Sequence, residues 1–212
     1  MDLLKTDLFG AVWRAEDRGM PIVIRDTSGA RWWLRPLALR LCRREAAALA
    51  RLDGLPGVPR LVGSDRRGLR REWIEGRPMQ AARPRNAGYF RAARRLVCAL
   101  HRQGVAHCDL AKEPNWLVTP TGAPALVDFQ LAFVSARRGR LFRLLAREDL
   151  RHLLKHKRTY CPGLLSARER AILARPGVTS RLWMATVKPV YVFVTRRLLG
   201  WADREGAGDR RF

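Results

Sequence analysis

The sequence has few cysteines, and they show no metal-binding spacing. Cys42, Cys98, Cys108 and Cys161 include no Cys-x-x-Cys pair, which excludes a zinc ribbon and a disulfide-rich scaffold. The chain also lacks an uncharged apolar run of about 18 residues, so no membrane-spanning helix is expected. Residues 1–10 lack the apolar core of a signal peptide. Together these absences favour a protein of the reducing cytoplasm.

Acidic residues are also scarce. The chain has 19 of them against 42 lysines and arginines, which gives a formal net charge of +23. Such a surface attracts an anionic partner: a membrane surface, a nucleic acid or an acidic ligand. Hydrophobic residues make up 47% of the 212 positions, enough to bury a core in one substantial domain or in two small lobes.

The order of predicted elements is typical of an α+β protein. Spacings of apolar residues and turn signals predict the following order: strands within 6–25, a helix over 37–52, strands at 60–63 and 69–74, a helix over 89–103, short strands at 116–118 and 124–127, and helices after 128. Leu37, Leu41 and Leu49 are assigned to the buried face of the first helix. The pattern predicts a small sheet-rich lobe followed by a helical lobe.

Three polar residues lie beside the short apolar strands of the second half. Asn115 follows Asp109 by six positions and directly precedes one strand, and Asp128 directly follows the other. Two carboxylates and an amide that meet at one edge suit a hard cation with oxygen ligands, typically Mg²⁺. A carboxylate that stays off the metal can accept a proton from a hydroxyl group.

These residues resemble motifs of the protein-kinase-like superfamily. His107-Cys108-Asp109-Leu110 followed by Asn115 resembles the catalytic loop, and Asp128-Phe129-Gln130 resembles the metal-binding element that follows it. Four upstream motifs occur in the family's order: Gly10-Ala11-Val12 at the end of the glycine-rich loop, Arg25 in the position of the phosphate-binding lysine, Glu45 as its helix partner, and Glu72-Trp73-Ile74-Glu75-Gly76 as the hinge. Within that superfamily the sequence resembles the small bacterial RIO-type and lipopolysaccharide-core (Kdo) kinases, which are also short and lack the usual arginine of the catalytic loop.

The resemblance implies an α+β, bilobal protein-kinase-like fold. A small β-rich N-lobe would span residues 1–76 and a truncated helical C-lobe residues 77–177, with a basic, aromatic-rich segment over 178–212. The implied activity is that of an ATP- and Mg²⁺-dependent phosphotransferase. Its acceptor would be a hydroxyl group on a lipid- or sugar-linked molecule or on a protein.

The resemblance also implies a role for each motif residue. Asp109 would orient and deprotonate the acceptor hydroxyl, while Asn115 and Asp128 would hold Mg²⁺ on the ATP phosphates. Arg25 would contact the phosphates and pair with Glu45. The remaining nucleotide-binding residues would be Gly10, Val12, Glu72 and Ile74.

Two alternatives stay open. A catalytically impaired pseudokinase is the first, because Arg25 replaces lysine, Gln130 replaces glycine and Cys108 replaces arginine. A basic nucleic-acid-binding module is the second. It is the less favoured of the two because the sequence has no recognised nucleic-acid motif.

Three further residues lie on the helix predicted after residue 128. His152 and His156 are four positions apart, a spacing that suits zinc, but without a third ligand they are expected to form a cationic face. Asp149 either anchors the catalytic loop, as the resemblance implies, or is an ordinary helix charge.

The segment 182–201 mixes tryptophan and tyrosine with lysine and arginine, a composition that suits the headgroup layer of a membrane. Packing against the helical lobe as core is the alternative, and it is the favoured one. The net charge still favours an anionic membrane surface as a partner, which predicts a cytoplasmic protein that is peripheral on the inner face of the membrane.

Overall fold

The computed structural model describes residues 1–174 and shows a mixed α+β architecture with an antiparallel sheet and several helices. The chain divides into two units, residues 1–165 and residues 166–212. The predicted interfacial segment and the end of the predicted C-lobe, at 175–177, lie outside the described residues. In the second unit the structure describes one helix, α5, at Ala167–Ala174.

A five-stranded antiparallel sheet forms the first part of the chain. Its strands are β1 (Asp2–Asp7), β2 (Gly10–Asp17), β3 (Met20–Asp26), β4 (Leu61–Ser64) and β5 (Gly68–Glu72), in the spatial order β1-β2-β3-β5-β4. Helix α1, at Arg35–Arg51, connects β3 to β4. Arg18 and Gly19 both have positive φ, as a tight two-residue hairpin between β2 and β3 requires.

The strand register places charged residues on the sheet face that α1 covers. Arg25 of β3 lies opposite Leu69 of β5, and Val23 lies opposite Arg71. Because directly opposite residues share a face and alternate residues of one strand do too, all four face the same way. Cys42 and Ala46 of α1 pack against Leu69, which shows that this is the face beneath the helix.

The second part of the chain is mainly helical. Its elements are β6 (Arg77–Pro78), α2 (Met79–Ala82), α3 (Ala87–Arg102), β7 (Val105–Ala106), β8 (Trp116–Val118), β9 (Pro124–Leu126), β10 (Phe133–Val134) and α4 (Arg140–Tyr160). Strands β8 and β9 form a hairpin that β6 extends, and β7 pairs with β10. Residues 73–76 connect β5 to β6.

Helix α3 is the centre of the main hydrophobic core. The Asn86 side chain caps it by accepting a hydrogen bond of 2.7 Å from the Tyr89 amide. Its buried face carries the residues that the apolar spacing predicts: Phe90, Ala93, Leu96, Val97 and Leu100. Trp116, Phe129 and Leu153 pack into the same core from β8, the segment after β9 and α4.

Two sequence-based predictions about helices are wrong. Leu37 is 45% exposed, because the buried face of α1 follows Ala38, Cys42, Ala46 and Leu49 instead. The chain after residue 128 is also not wholly helical at its start, since a short 3₁₀ turn and β10 precede α4. Among residues 1–174, no helix combines the length and apolar character needed to cross a membrane.

Candidate active site

Asp109 lies in the loop between β7 and β8, and neighbouring residues of that loop hold its carboxylate. The Asn115 amide nitrogen donates to the Asp109 backbone oxygen at 2.9 Å and to Oδ2 at 3.0 Å. The Lys112 ammonium lies 3.0 Å from the same Oδ2. Since both amide hydrogens of Asn115 are directed to Asp109, the amide oxygen is the polar atom of Asn115 that remains for a ligand.

Asp149 anchors this loop from α4. Its buried carboxylate accepts hydrogen bonds from the backbone amides of His107 at 2.8 Å and Cys108 at 2.9 Å, and lies 3.0 Å from Nε2 of His101. Of the two alternatives given for Asp149, these contacts show the anchoring one rather than an ordinary helix charge. Cys108 adopts φ 65°, a left-handed conformation that is costly for a residue with a side chain, so the anchor maintains a strained loop.

His107 connects the loop to the segment that contains Asp128. The imidazole is fully buried, and burial lowers its pKa, so the ring is neutral. Its Nε2 lies 3.1 Å from the Val127 carbonyl oxygen, which identifies Nε2 as the protonated nitrogen. The backbone supplies a second connection, because the Val127 amide donates to the Asn115 oxygen at 3.1 Å. Asn115 and Asp128 therefore lie at the same end of the β8–β9 hairpin.

Asp128 faces the sheet. Its backbone has φ 66°, again left-handed, and one nitrogen of the Arg25 guanidinium lies 4.0 Å from its Oδ1. That distance allows ionic attraction but is too long for a hydrogen bond. Within residues 1–174, Oδ1 is buried and has no hydrogen-bond partner. A buried carboxylate oxygen in this state is suited to a cation as ligand.

The predicted pairing of Arg25 with Glu45 is wrong. Glu45 is buried on α1, and its Oε1 lies 3.3 Å from Nε of Arg71. Arg71 occupies this place because, like Arg25, it lies on the sheet face beneath α1. Burial raises the pKa of Glu45, while the charges of Arg71 and Arg25 act in the opposite direction.

Sequence reasoning missed Arg71 and Lys112, although each left a signal. Arg71 stands two positions after Leu69, which a period of two places on the same sheet face. Lys112 is three positions after Asp109 within the loop. A buried glutamate needs a cation, and Arg71 lies on β5, a strand that α1 contacts directly.

The backbone conformation at position 10 explains why the residue there is a glycine. Gly10 has φ +124°, and a Cβ atom there would lie 2.0 Å from the Asp26 carbonyl oxygen, so β2 approaches β3 closely at this point. Val12 pairs with Arg25 across the same two strands and so faces the same way. Both residues therefore lie at the end of the sheet from which Arg25 reaches Asp128.

Glu72 is the last residue of β5, and Ile74 lies in the connection between the two parts of the chain. The Glu72 carboxylate accepts a hydrogen bond of 3.1 Å from the Arg60 amide, which gives it a structural role. The Trp73 amide donates to the Pro21 oxygen at 2.9 Å. In the described part of the chain, no ion pair or hydrogen bond joins Glu72 to Asp109 or Asp128.

The histidines of α4 do not form the expected cationic face. His156 is buried, and its Nε2 lies 2.8 Å from the Leu110 carbonyl oxygen. Burial lowers the pKa of His156, and it lowers the pKa of His152 to about 4, so both rings are neutral at pH 7. In residues 1–174 no group of three or more histidine, cysteine, aspartate and glutamate side chains is placed to hold a metal ion.

Among residues 1–174, two of the cavities lie away from Asp109 and Asp128. One of about 510 Å³ lies between α3 and the β8–β9 turn, and its lining includes Leu55, Leu96 and Thr119. The other, of about 350 Å³, lies at the start of α1.

No protein-family model matches the chain, and no curated protein matches its sequence.

Proposed function

We propose that this protein is an ATP- and Mg²⁺-dependent phosphotransferase with a bilobal kinase-like fold. The observation that carries the proposal is the approach of Arg25 to Asp128 at 4.0 Å, beside the loop that contains Asp109 and Asn115. It brings a cation from the sheet to a half-buried carboxylate in the helical part. Phosphoryl transfer requires little more from a protein than such positioned charges.

The order of elements supports the proposed fold. An antiparallel sheet with the order β1-β2-β3-β5-β4 carries one helix between β3 and β4, and residues 73–76 lead from it to a mainly helical part. The positions of three motif residues support the same reading: Gly10 begins β2, Arg25 is on β3, and Glu45 is on the inserted helix. We take residues 73–76 as the hinge between the lobes.

Asp128 and Asn115 fit a magnesium ion. The buried Oδ1 of Asp128 has no hydrogen-bond partner among residues 1–174, and Asn115 has its amide oxygen left after both hydrogens are donated to Asp109. Both are hard oxygen ligands. Bound Mg²⁺ would supply neutralisation of the negative charge on the phosphate oxygens.

Asp109 is the residue placed to accept the hydroxyl proton. Asn115 and Lys112 both contact its Oδ2, which fixes the rotation of the carboxylate and leaves Oδ1 to accept a hydrogen bond. A hydroxyl group oriented there passes its proton to the carboxylate as its oxygen attacks the γ-phosphorus of ATP. The bond between that phosphorus and the β–γ bridging oxygen breaks in the same step, and ADP leaves. The buried Asp149 keeps this loop in place through the His107 and Cys108 amides.

The resemblance assigns two roles to one residue, the ion pair with Glu45 and the contact with phosphate. In our proposal Arg71 has the first role and Arg25 the second. Arg71 neutralises Glu45 and so fixes α1 to the sheet. Arg25 is 21% exposed and is not needed for that pair, so it is the residue that can contact ATP phosphates. A guanidinium group binds phosphate oxygens through two parallel hydrogen bonds.

The net charge of +23 favours an anionic acceptor, so we propose a lipid- or sugar-linked hydroxyl at the inner face of a membrane ahead of a protein hydroxyl.

The test is ADP release and phosphate transfer from labelled ATP with Mg²⁺, measured with membrane extract as the source of acceptors. Asp109→Asn should reduce the rate by about 100-fold or more. Asp53→Asn, which alters an exposed carboxylate in a turn, should leave it unchanged.

Three results would count against the proposal. Equal turnover by Asp109→Asn would remove Asp109 from the chemistry. Binding of ATP with Mg²⁺ but no turnover would indicate a pseudokinase. Absence of nucleotide binding, together with binding of duplex DNA that weakens steeply as salt rises, would indicate a nucleic-acid-binding module.

A further inference from the structure

An exposed aromatic patch lies at the start of α1, away from the candidate active site. Trp32 is 85% exposed and Trp33 45%, and Leu37 is exposed to the same degree as Trp33. We call Arg31, Trp32, Trp33, Arg35 and Leu37 the Trp32 patch. Large apolar side chains that are clustered at the surface usually mark an interaction site, because leaving them in water is unfavourable.

The charge around the Trp32 patch has one sign. Residues 27–44 contain Arg31, Arg35, Arg40, Arg43 and Arg44 and no acidic residue, and all five arginines are exposed. The first turn of α1 also has no acidic residue. The positive end of the helix dipole therefore adds to the charge of the arginines rather than being compensated.

A concave site adjoins the Trp32 patch and shares Trp32 and Arg35 with it. Trp32, Pro36 and Leu39 line the cavity of about 350 Å³ together with Arg35 and Arg43. Arg35, Leu39 and Arg43 are spaced by four along α1, which puts them on one side of the helix. Two guanidinium groups beside an indole ring offer a phosphate group charge-assisted hydrogen bonds and an apolar wall.

We propose that the Trp32 patch binds the surface of an anionic phospholipid membrane. Indole rings prefer the layer between headgroups and acyl chains, and arginines beside them bind the lipid phosphates. Leu37 and Pro36 favour a membrane over a nucleic acid, because aliphatic groups gain from contact with acyl chains but offer no ring on which a base can stack. The proposal concerns a surface outside the catalytic residues, so it does not depend on the proposed activity.

The test is binding of the full-length protein to vesicles of phosphatidylcholine containing 30% phosphatidylglycerol, measured by co-sedimentation. Arg35→Glu/Arg43→Glu and Trp32→Ser/Trp33→Ser should each reduce the partition coefficient by about tenfold or more, since each basic residue and each buried ring contributes to binding. Arg35→Gln/Arg43→Gln should give a smaller loss of the same sign. The matched control is Arg91→Glu/Arg94→Glu, which changes the net charge equally on the exposed side of α3 and should reduce binding less than threefold.

Several results would overturn the inference. Equal loss in the α3 variant would show that net charge, not this patch, drives binding. A charge-dependent membrane site would be excluded if the wild-type protein did not bind the anionic vesicles. Equal binding to vesicles of pure phosphatidylcholine would exclude it as well. Binding of a single-stranded oligonucleotide that the tryptophan variant alone loses, without vesicle binding, would assign the patch to nucleic acid. Melting temperatures within a few degrees of wild type are expected for all variants because the altered residues are exposed.

Discussion

Glu45 is almost completely buried, so the stability of the fold depends on the residue that neutralises it. Arg71→Met removes the cation 3.3 Å from its carboxylate and should lower the free energy of unfolding by about 3–5 kcal/mol. Arg25→Met removes a longer contact to a carboxylate that is 32% exposed, and should change stability by less than about 1 kcal/mol. Urea unfolding of both variants measures the difference.

The control for this comparison is the double variant Arg71→Met/Glu45→Met, which leaves no buried charge unpaired. It should recover most of the stability that Arg71→Met loses, because two apolar side chains replace the ion pair. If Arg25→Met were the more destabilising single change, the pairing described above would be incorrect. On the proposed function, Arg25→Met should also weaken ATP binding.

The histidines of α4 predict how stability responds to acid. The pKa of His152 is about 4 in the folded protein and near 6.5 in an unfolded chain, so between these values the unfolded chain binds the proton more tightly. Unfolding therefore becomes easier as the pH falls from 6.5 to 4, by at most about 1.4 kcal/mol per pH unit for one half-buried histidine. His152→Gln should reduce this slope, measured as the unfolding free energy at pH 6.5, 5.5 and 4.5.

The exposed Arg158→Gln on the same helix should keep the wild-type slope. Glu45 acts in the opposite direction, since its raised pKa stabilises the fold at low pH and that contribution is lost as the pH rises. Only the difference between wild type and His152→Gln therefore reports on the histidine. An identical slope in the two proteins would mean that His152 titrates normally in the folded state.

Among the elements, β3 depends on glycines in both neighbouring strands. A Cβ atom at Gly10 would lie 2.0 Å from the Asp26 oxygen, and one at Gly68 would lie 1.8 Å from the Arg25 oxygen. Both glycines also have positive φ. Gly10→Ala and Gly68→Ala should each lower the unfolding free energy by more than about 1 kcal/mol. Gly29→Ala is the control, because nothing lies within 4 Å of its Cβ position, and thermal unfolding would show a milder effect there.

The sequence predicts most elements where apolar residues show a clear period. Helix α3 matches its predicted buried face, and β8 matches its predicted bounds. Strand β1 was missed because it is an edge strand with polar residues and almost no burial. The two-residue strands β7 and β10 give no periodic signal at all, and only their tertiary pairing defines them.

The candidate site was predicted as a set of residues but not as a set of contacts. Asp109, Asn115 and Asp128 are recognisable because polar residues adjoin apolar strands. The strand register decides which arginine forms the ion pair with Glu45, and the register follows from packing across the whole sheet. The spacing of residues along the chain carries no information about that choice.

At the scale of the whole molecule, the core is distributed unevenly. Within residues 1–174, the main cluster is built around α3 and its neighbours, whereas the cluster beneath α1 has three buried residues, Cys42, Ala46 and Leu69, with the partly buried Leu61 packed against them. Few buried apolar contacts mean a lower free energy of local opening. The sheet of β1 to β5 should therefore open before the helical part, and its amide hydrogens should exchange faster than those of α3.

Hydrogen exchange followed by mass spectrometry tests this order and also its connection to the proposed function. A ligand that contacts Arg25 and Asp128 binds both parts at once, so ATP with Mg²⁺ should slow exchange mainly in β2 and β3. A ligand at a hundred times its Kd stabilises the closed form by about 2.7 kcal/mol, which is roughly a hundredfold in exchange rate where opening breaks the site. Asp128→Ala should abolish this protection while leaving exchange in α3 unchanged.

Equal protection in the variant would mean that the nucleotide binds elsewhere. If the sheet exchanged as slowly as α3 without ligand, the uneven distribution of the core would not control local opening.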